Sequence, residues 1–464
     1  MTFDENEARQ MKILEFYDRA LSGKRVTEQE FDMKLLPAKL RQLVKKYEIT
    51  YNPEEPVPQD LDMARRVFEA AVELLVEVGI HCKDTQSIIT IGEEEIRTAL
   101  RDAPARHTIG EGTEAVECCC RGIGDKRRPI ILGGPGGAPL SEENYMDILT
   151  SYACESIDGL HTGALQSLFG RKVRANEPIE LMACQYEALW AREAIRRAGK
   201  PGMSLLGIMS GAGSEAQDAG DFPGGLRSSD MHLISFSNEL KANWEDFKKI
   251  AHNQNRGNII DACCMPMLGG YCGGPEGTAI TAVAEVMQGF VMTRAVSFDM
   301  AACSIRFGVS DRPAIWANCI AQLAFISTGV EVLIVPFIVG TAGPCTEMLC
   351  DEIAAMAVAQ TASGAFSLYG AIGSEAGSMD YTTGMESRIL GEIGTASAGI
   401  GLAEANEIVR QLIGRYEKVL RGGEAPLGKS FTQCYEQGLT PSREYQNIWE
   451  KKKKEIGKMG LNFS

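Results

Sequence analysis

The sequence predicts an α/β protein, a (β/α)8 TIM barrel with helical N-terminal and C-terminal extensions, and three observations predict it. From Pro129 onward, short apolar runs alternate with longer stretches of helical periodicity, and eight such runs fall within about 250 residues. Many of the forty-nine glycines stand at the ends of those runs, as tight strand-to-helix turns require. No Gly-x-Gly-x-x-Gly follows the first run, which counts against the doubly wound open sheet, the alternative that periodicity leaves standing. The expected segments are a helical N-terminal extension (1–128), the barrel (129–381) and a C-terminal helical segment packing on it (382–464).

In chain order, Glu5 to Leu21 and Thr27 to Tyr47 read as helices, with Thr27-Glu-Gln-Glu30 supplying a hydroxyl and an acid to cap the second. Tyr51 to Pro58 is a proline-rich, acidic linker. Apolar residues at helical spacing from Met63 to Val78 predict a helix that Gly79 ends. Glu93 to Leu100 predicts another, stopped before Pro104. The predicted strands are Ile130–Leu132, Gly159–Leu165, Met203–Ile208, His232–Phe236, Ile259–Met267, Phe298–Ile305, Val330–Ile338 and Phe366–Ile372. Helices are predicted between them at Glu142–Ile157, Ile179–Ala198, Leu240–Asn253, Ala279–Arg294, Pro313–Ser327 and Thr346–Ser363, whereas Ser210 to Asp230 lacks helical periodicity. A long helical stretch runs from Thr382 to Leu420, followed by a break at Gly422 to Gly428 and a charged tail.

Composition excludes several functions. The formal net charge is -15, and no basic stripe stands apart from acids except Lys451 to Lys454, so nucleic acid is not an expected partner. The N-terminus lacks the regions of a signal peptide, and no apolar run reaches the roughly 18 residues that span a bilayer. The expectation is a cytoplasmic protein without a membrane segment, whose fourteen cysteines are reduced thiols.

The chemistry is expected around Asn258 to Glu276, where an apolar run breaks into the glycine-rich loop Gly269-Gly270-Tyr271-Cys272-Gly273-Gly274. Ligands of parallel α/β proteins gather at the carboxyl ends of strands. Side chains alternate along a strand, so one of Cys263 and Cys264 faces inward and the other outward, which leaves open a nucleophile, a zinc ligand, a pocket wall or a core thiol. His232 beside Asp230 opens a strand, where an imidazole serves either structure or a site. His81, His107, His161 and His252 are scattered, and no metal-binding pair lies on one helix face, so no metal is expected. The stretch Ala342-Gly-Pro-Cys-Thr-Glu347 opens a helix whose free amides suit an anion or form an ordinary turn. Glu276 is either a capping acid or a substrate contact, and Arg306 either an anion anchor or a solvated side chain.

Taken in order, Gly79-Ile80, Gly124-Asp-Lys, Gly133-Gly-Pro, Pro201-Gly-Met203, Asn238-Glu-Leu-Lys, Gly269-Gly-Tyr, Gly273-Gly, Ala342-Gly-Pro-Cys-Thr-Glu-Met348, Thr382-Thr-Gly-Met-Glu386 and Gly428-Lys resemble the monomethylamine methyltransferases of methanogens through nearly the whole chain. The resemblance implies a (β/α)8 barrel that passes a methyl group to the cobalt of a corrinoid (cobalamin) held by a separate partner protein. It also implies a homo-oligomer. The departures lie where that family does its chemistry. Leu206 stands where the resemblance places pyrrolysine, Leu233 and Cys263 replace acids, and Phe337 replaces an amide.

The resulting expectation is a pyrrolysine-free methyltransferase acting on a small methylated compound, quaternary ammonium or otherwise cationic. A cation needs no imine, because its departing atom already carries the charge that departure relieves. The expected pocket is Leu206, His232, Leu233, Cys263, Phe298, Phe337 and Glu347; Tyr271 is a further candidate aromatic wall and Glu276 or Glu347 a candidate acid. Gly269, Gly270, Tyr271, Gly273, Gly274, Glu276 and Arg306 are the expected loop and corrinoid-facing residues. Two further readings are a zinc-thiolate methyltransferase that uses Cys263 with Cys303 or His232, and a non-catalytic barrel that binds a small ligand.

Overall fold

Eight parallel strands close a barrel in strict chain order in the computed structural model, which describes residues 3–305, 308–373, 377–436 and 439–463. The strands are β1 Ile130–Gly133, β2 Gly159–His161, β3 Ser204–Leu206, β4 Met231–Ser235, β5 Ile259–Cys264, β6 Ser297–Met300, β7 Leu333–Val339 and β8 Ser367–Ile372. Each is followed by the helix of the same number: α1 Tyr145–Ala153, α2 Pro178–Arg197, α3 Ser214–Asp218, α4 Trp244–Arg256, α5 Pro275–Thr293, α6 Arg312–Thr328, α7 Glu347–Ala362 and α8 Gly384–Ala396. All eight predicted strands are present. α3 lies in the glycine-rich stretch that shows no helical periodicity, since a five-residue helix is too short to display one.

β2 and β3 end earlier than expected, at His161 and Leu206, and so do β5 and β6. β5 stops at Cys264 and β6 at Met300; Met267–Leu268 and Cys303–Ser304 beyond them pair with each other in a separate two-stranded ribbon. The ribbon carries the glycine loop.

The chain divides into two compact units. The first unit contains residues 1–107, 232–306 and 312–336. Its helix Leu61–Val78 is capped at the start by the Asp60 carboxylate on the amides of Asp62 and Met63, and ends at Gly79 with φ 70°. Thr27 caps the preceding helical segment through the amide of Glu30, as expected. This layer is not wholly helical. Ile80–Cys82 pairs with Ser87–Ile89 and with Lys241–Ala242, the segment expected to begin a helix, so α4 starts only at Trp244.

The second unit contains residues 108–231, 307–311 and 337–464. Its core is formed by β1, β2, β8 and the helices outside them, with Ile131 and Leu368 packed at Gly394 of α8. The expected long C-terminal helix is two helices, α8 and Leu402–Gly422, broken at 397–401 by Gly399 and Gly401. Among the described residues no helix is long and apolar enough to cross a membrane.

Candidate active site

Strand parity decides which side chains line the barrel. In the first unit, Ala262 of β5 and Phe298 of β6 lie under α5: a Cβ at Gly289 would stand 2.5 Å from the Phe298 ring and 3.1 Å from Ala262. Their neighbours at odd positions, Asp261, Cys263, Ser297 and Asp299, therefore face the interior, and the register pairs Asp261 with Ser297 and Cys263 with Asp299. Cys264 points outward, towards Glu285 of α5. The expected wall Phe298 is thus a core residue outside the barrel, and Asp299 takes the inward position.

The inward groups of this unit form one polar cluster. Ser297 donates to Asp261 Oδ1 at 2.6 Å, and the Ser235 hydroxyl bonds the Cys263 thiol. Burial pushes the Asp261 carboxyl up to about 7; burial first and then the charge of Asp261 push Asp299 well above the usual carboxylate range. The Cys263 and Cys303 thiols are likewise raised, by burial first and then by the neighbouring carboxyls. A thiol held protonated is a poor nucleophile and a poor zinc ligand. Among the described residues no group of three histidine, cysteine or acidic side chains has metal-binding geometry.

His232, expected in the pocket, is at the outward position of β4, with its Nδ1 3.3 Å from the Asn258 amide. Met231 pairs with Leu206, so Leu233 and Ser235 share the inward face of β4, and Ser235 is exposed there.

In the second unit, Ile131 and Leu368 face outward against α8, so Leu132 and Tyr369 face inward; the register carries the same face to His161 and Leu206. Phe337 stacks on Tyr369 with centroids 4.6 Å apart, and Tyr369 stacks on His161 at 4.8 Å. The three rings form a ladder. Gly136 lets the loop after β1 lie against it: φ is 52°, and a Cβ there would stand 2.9 Å from Tyr369 Oη and 3.1 Å from the Phe337 ring. Burial pushes the His161 imidazole down to about 4. Its Nδ1 is 2.9 Å from the Thr162 carbonyl, which can only accept, so Nδ1 carries the proton and Nε2 keeps its lone pair.

Buried acids on the helices hold the loops at the strand ends. Glu187 of α2 accepts from the amides of Met209 (2.7 Å) and Ser210 (2.8 Å) after β3, and burial raises its carboxyl to about 7. Glu352 of α7 accepts from Thr341 and Ala342 after β7, each at 2.9 Å, and from Ser310. In the first unit, Glu285 accepts from the Glu239 amide at 2.7 Å. Backbone donors aimed at one fixed acid make these loops rigid.

The sequence of one family, described as monomethylamine methyltransferase MtmB, matches residues 11–461. The chain belongs to this family. Monomethylamine methyltransferase MtmB1 of Methanosarcina acetivorans is 36% identical over 451 residues, covering 97% of this chain and 98% of the relative, and MtmB of Methanosarcina mazei is as similar. The crystal structure of the Methanosarcina barkeri monomethylamine methyltransferase, and that of a hydroxylamine MtmB complex, each superpose with a TM-score of 0.94 at 34% identity over 97% of this chain and 98% of theirs. As a monomethylamine methyltransferase homologue the chain is an enzyme of methyl transfer built on the (β/α)8 barrel.

The stretches that carry the family resemblance are mostly the loop-fixing parts. Asn238-Glu-Leu-Lys241 holds two consecutive non-glycine residues in the left-handed region, Glu239 at φ 62° and Leu240 at φ 57°. The Glu239 carboxylate accepts from Met267 at 3.1 Å; Lys241 pairs with Asp32 at 2.8 Å and lies 5.5 Å from the Tyr271 ring centroid. They brace the ribbon beneath the glycine loop, where Gly269, Gly270, Tyr271, Gly273 and Gly274 are exposed. Glu276 is taken up by the Tyr51 amide at 3.0 Å, so it fastens the N-terminal linker. Thr346 caps α7 through the Leu349 amide, as expected, but Glu347 pairs with Lys451 on the C-terminal helix at 2.6 Å and is no pocket residue. Arg306 lies outside the described residues.

Asp261, Asp299, His161 and Tyr369 also face the barrel interior and are not among the residues expected there. His161 had one available signal, its place at the carboxyl end of a predicted strand.

Proposed function

We propose that the chain moves a methyl group from a small methylated cation, a quaternary ammonium or sulfonium compound, to the cobalt of a corrinoid carried by a separate partner protein, without pyrrolysine. The observation that carries this reading is the character of the inward positions Leu206, Leu233, Cys263 and Phe337: they offer neither an imine nor an ionised base to a small amine. A neutral amine leaves carbon badly. An onium group leaves as a neutral molecule, because the electron pair of the breaking C–N or C–S bond cancels its charge. The chain then has to bind the cation, exclude water and hold the methyl group in line with its acceptor.

Rings recognise such a cation through their faces and dipoles, and the ladder of Phe337, Tyr369 and His161 supports that reading, with His161 neutral and so not repelling a positive charge. The exposed glycine loop Gly269–Gly274 fits the approach of a flat macrocycle, since backbone without side chains permits close contact; Tyr271 is its one large exposed ring. The corrinoid, when its carrier docks, supplies the nucleophile. A homo-oligomer in the cytoplasm, organised as extension, barrel and C-terminal segment, completes the proposal.

The test is to give purified protein reduced cobalamin, or a cognate corrinoid protein, with a panel of methylamines, betaines and sulfonium compounds and to follow the methylcobalamin spectrum. Methylation by at least one onium compound and none by monomethylamine is the expected result. Activity confined to monomethylamine, or methylation by no compound with either acceptor, overturns the reading.

A further inference from the structure

Asp261 and Asp299 are 3% and 2% exposed, and they stand on the inward faces of adjacent strands one layer apart. Asp261 is satisfied by Ser297, but Asp299 Oδ1 is buried without a hydrogen-bond partner. A carboxylate oxygen left so is costly, and a native structure that keeps one implies an occupant or a proton. Among the described residues, those around the pair supply no positive charge. The inward neighbours on β7 are the apolar Leu333 and Val335; the titratable ones are the Cys263 and Cys303 thiols, both neutral, and the charge that acts on Asp299 among the described residues is that of Asp261.

We propose that Asp261 and Asp299 are the cation-recognition pair of the barrel, which takes up one alkylated monocation in exchange for a proton held by one of the two carboxyls. This rests on the onium reading above and names the group that would select for it.

The charge balance favours the exchange. Two buried carboxyls on the inward faces of adjacent strands repel each other's charge, so one keeps its proton near neutral pH and the free pair carries a single negative charge. When a monocation enters, the remaining O–H bond breaks and the proton passes to solvent. Two carboxylates and one cation again sum to a single negative charge, so no extra charge is buried. A hard metal ion would require more ligands than this cluster provides. Thiols and aliphatic walls instead suit a weakly hydrated, methyl-covered cation.

The pair is tested by titrating the full chain calorimetrically with tetramethylammonium, and with uncharged tert-butyl alcohol for comparison, near neutral pH in two buffers of different ionisation enthalpy. The expected result is saturable binding of tetramethylammonium with release of about one proton, and none for the alcohol. Asp299→Asn and Asp261→Asn, each isosteric with the protonated acid, should fold normally, weaken binding by about tenfold or more and lower the proton release. Binding by wild type without proton release, wild-type affinity in both variants, or no binding of the cation to wild type overturns the pair.

The two proposals fail separately. Tetramethylammonium bound with proton release, but no cobalt methylated by any onium compound, overturns the methyl-donor reading and leaves the pair standing. Methyl transfer from an onium compound that is equal in wild type and both variants does the reverse.

Discussion

Gly136→Ala should cost stability and disturb the ring ladder. The backbone at Gly136 has φ 52°, where a side chain costs about 1–2 kcal/mol. The new methyl group would overlap Ile372 Cδ1 and stand 2.9 Å from Tyr369 Oη and 3.1 Å from the Phe337 ring. Ile372 can turn away, but the two rings are held by their stack, so overpacking adds about 1–3 kcal/mol. The expected loss is about 2–5 kcal/mol. Gly137→Ala is the control. Its φ of 82° carries the same backbone cost, but its methyl group meets only the flexible end of Met209, at 2.7 Å. Thermal unfolding of both variants isolates the overpacking contribution. Near-ultraviolet circular dichroism reports the aromatic environment, and methylcobalamin formation reports the site, where a displacement of about 1 Å costs on the order of a hundredfold. If Gly136→Ala matches Gly137→Ala in all three measurements, the ladder is not held by this loop.

Stability should fall as pH rises from about 5 to 8.5. Burial raises Asp246, Glu187 and Glu386 to about 7 and Glu285 to about 8, so the native chain keeps protons that the unfolded chain has lost. That stabilisation is complete below the ordinary carboxyl range and disappears as pH passes through these values. A Tm that is flat or rises across the window contradicts it, and Glu285→Gln should flatten the upper part. Below that range the lowered carboxyls Glu73 and Asp125, each at about 2, lose their stabilisation as they protonate. Cys263→Ala should retain methyl transfer within about tenfold, since the thiol is held protonated; a loss near a thousandfold with substrate binding intact would make it a nucleophile. Glu347→Ala should leave methyl transfer unchanged, because its partner is Lys451 on the surface, and a large rise in KM would return it to the pocket.

The barrel was legible because parallel strands covered on both faces must be apolar throughout, and runs of that kind stand out between amphipathic helices. The same property hides the site. A strand apolar on both faces carries no alternation to show which residues point inward, and a shift of one residue reverses the whole assignment. At Ser297-Phe-Asp-Met300 the large ring invites a place in the pocket, yet it packs under α5 because Gly289 leaves the space for it, and Asp299 faces inward instead. Gly289 lies ten residues before Asp299 on a different element, so the information that fixes the parity is tertiary. Cys263 and Cys264 pose the same problem with neighbouring thiols, and it is the packing of Ala262 and Cys264 against Gly289 and Glu285 of α5 that separates them. Glu347 failed for another reason: a helix start at a strand's carboxyl end is a fair place for a ligand contact, but the C-terminal helix supplies a lysine from more than a hundred residues away. Leu206 and Phe337 were expected in the pocket from aligned motifs, without appeal to parity, and both stand at inward positions. An acid pair formed across two strands can be found only after the register is known, and it is the register of β5 and β6 that makes Asp261 and Asp299 neighbours.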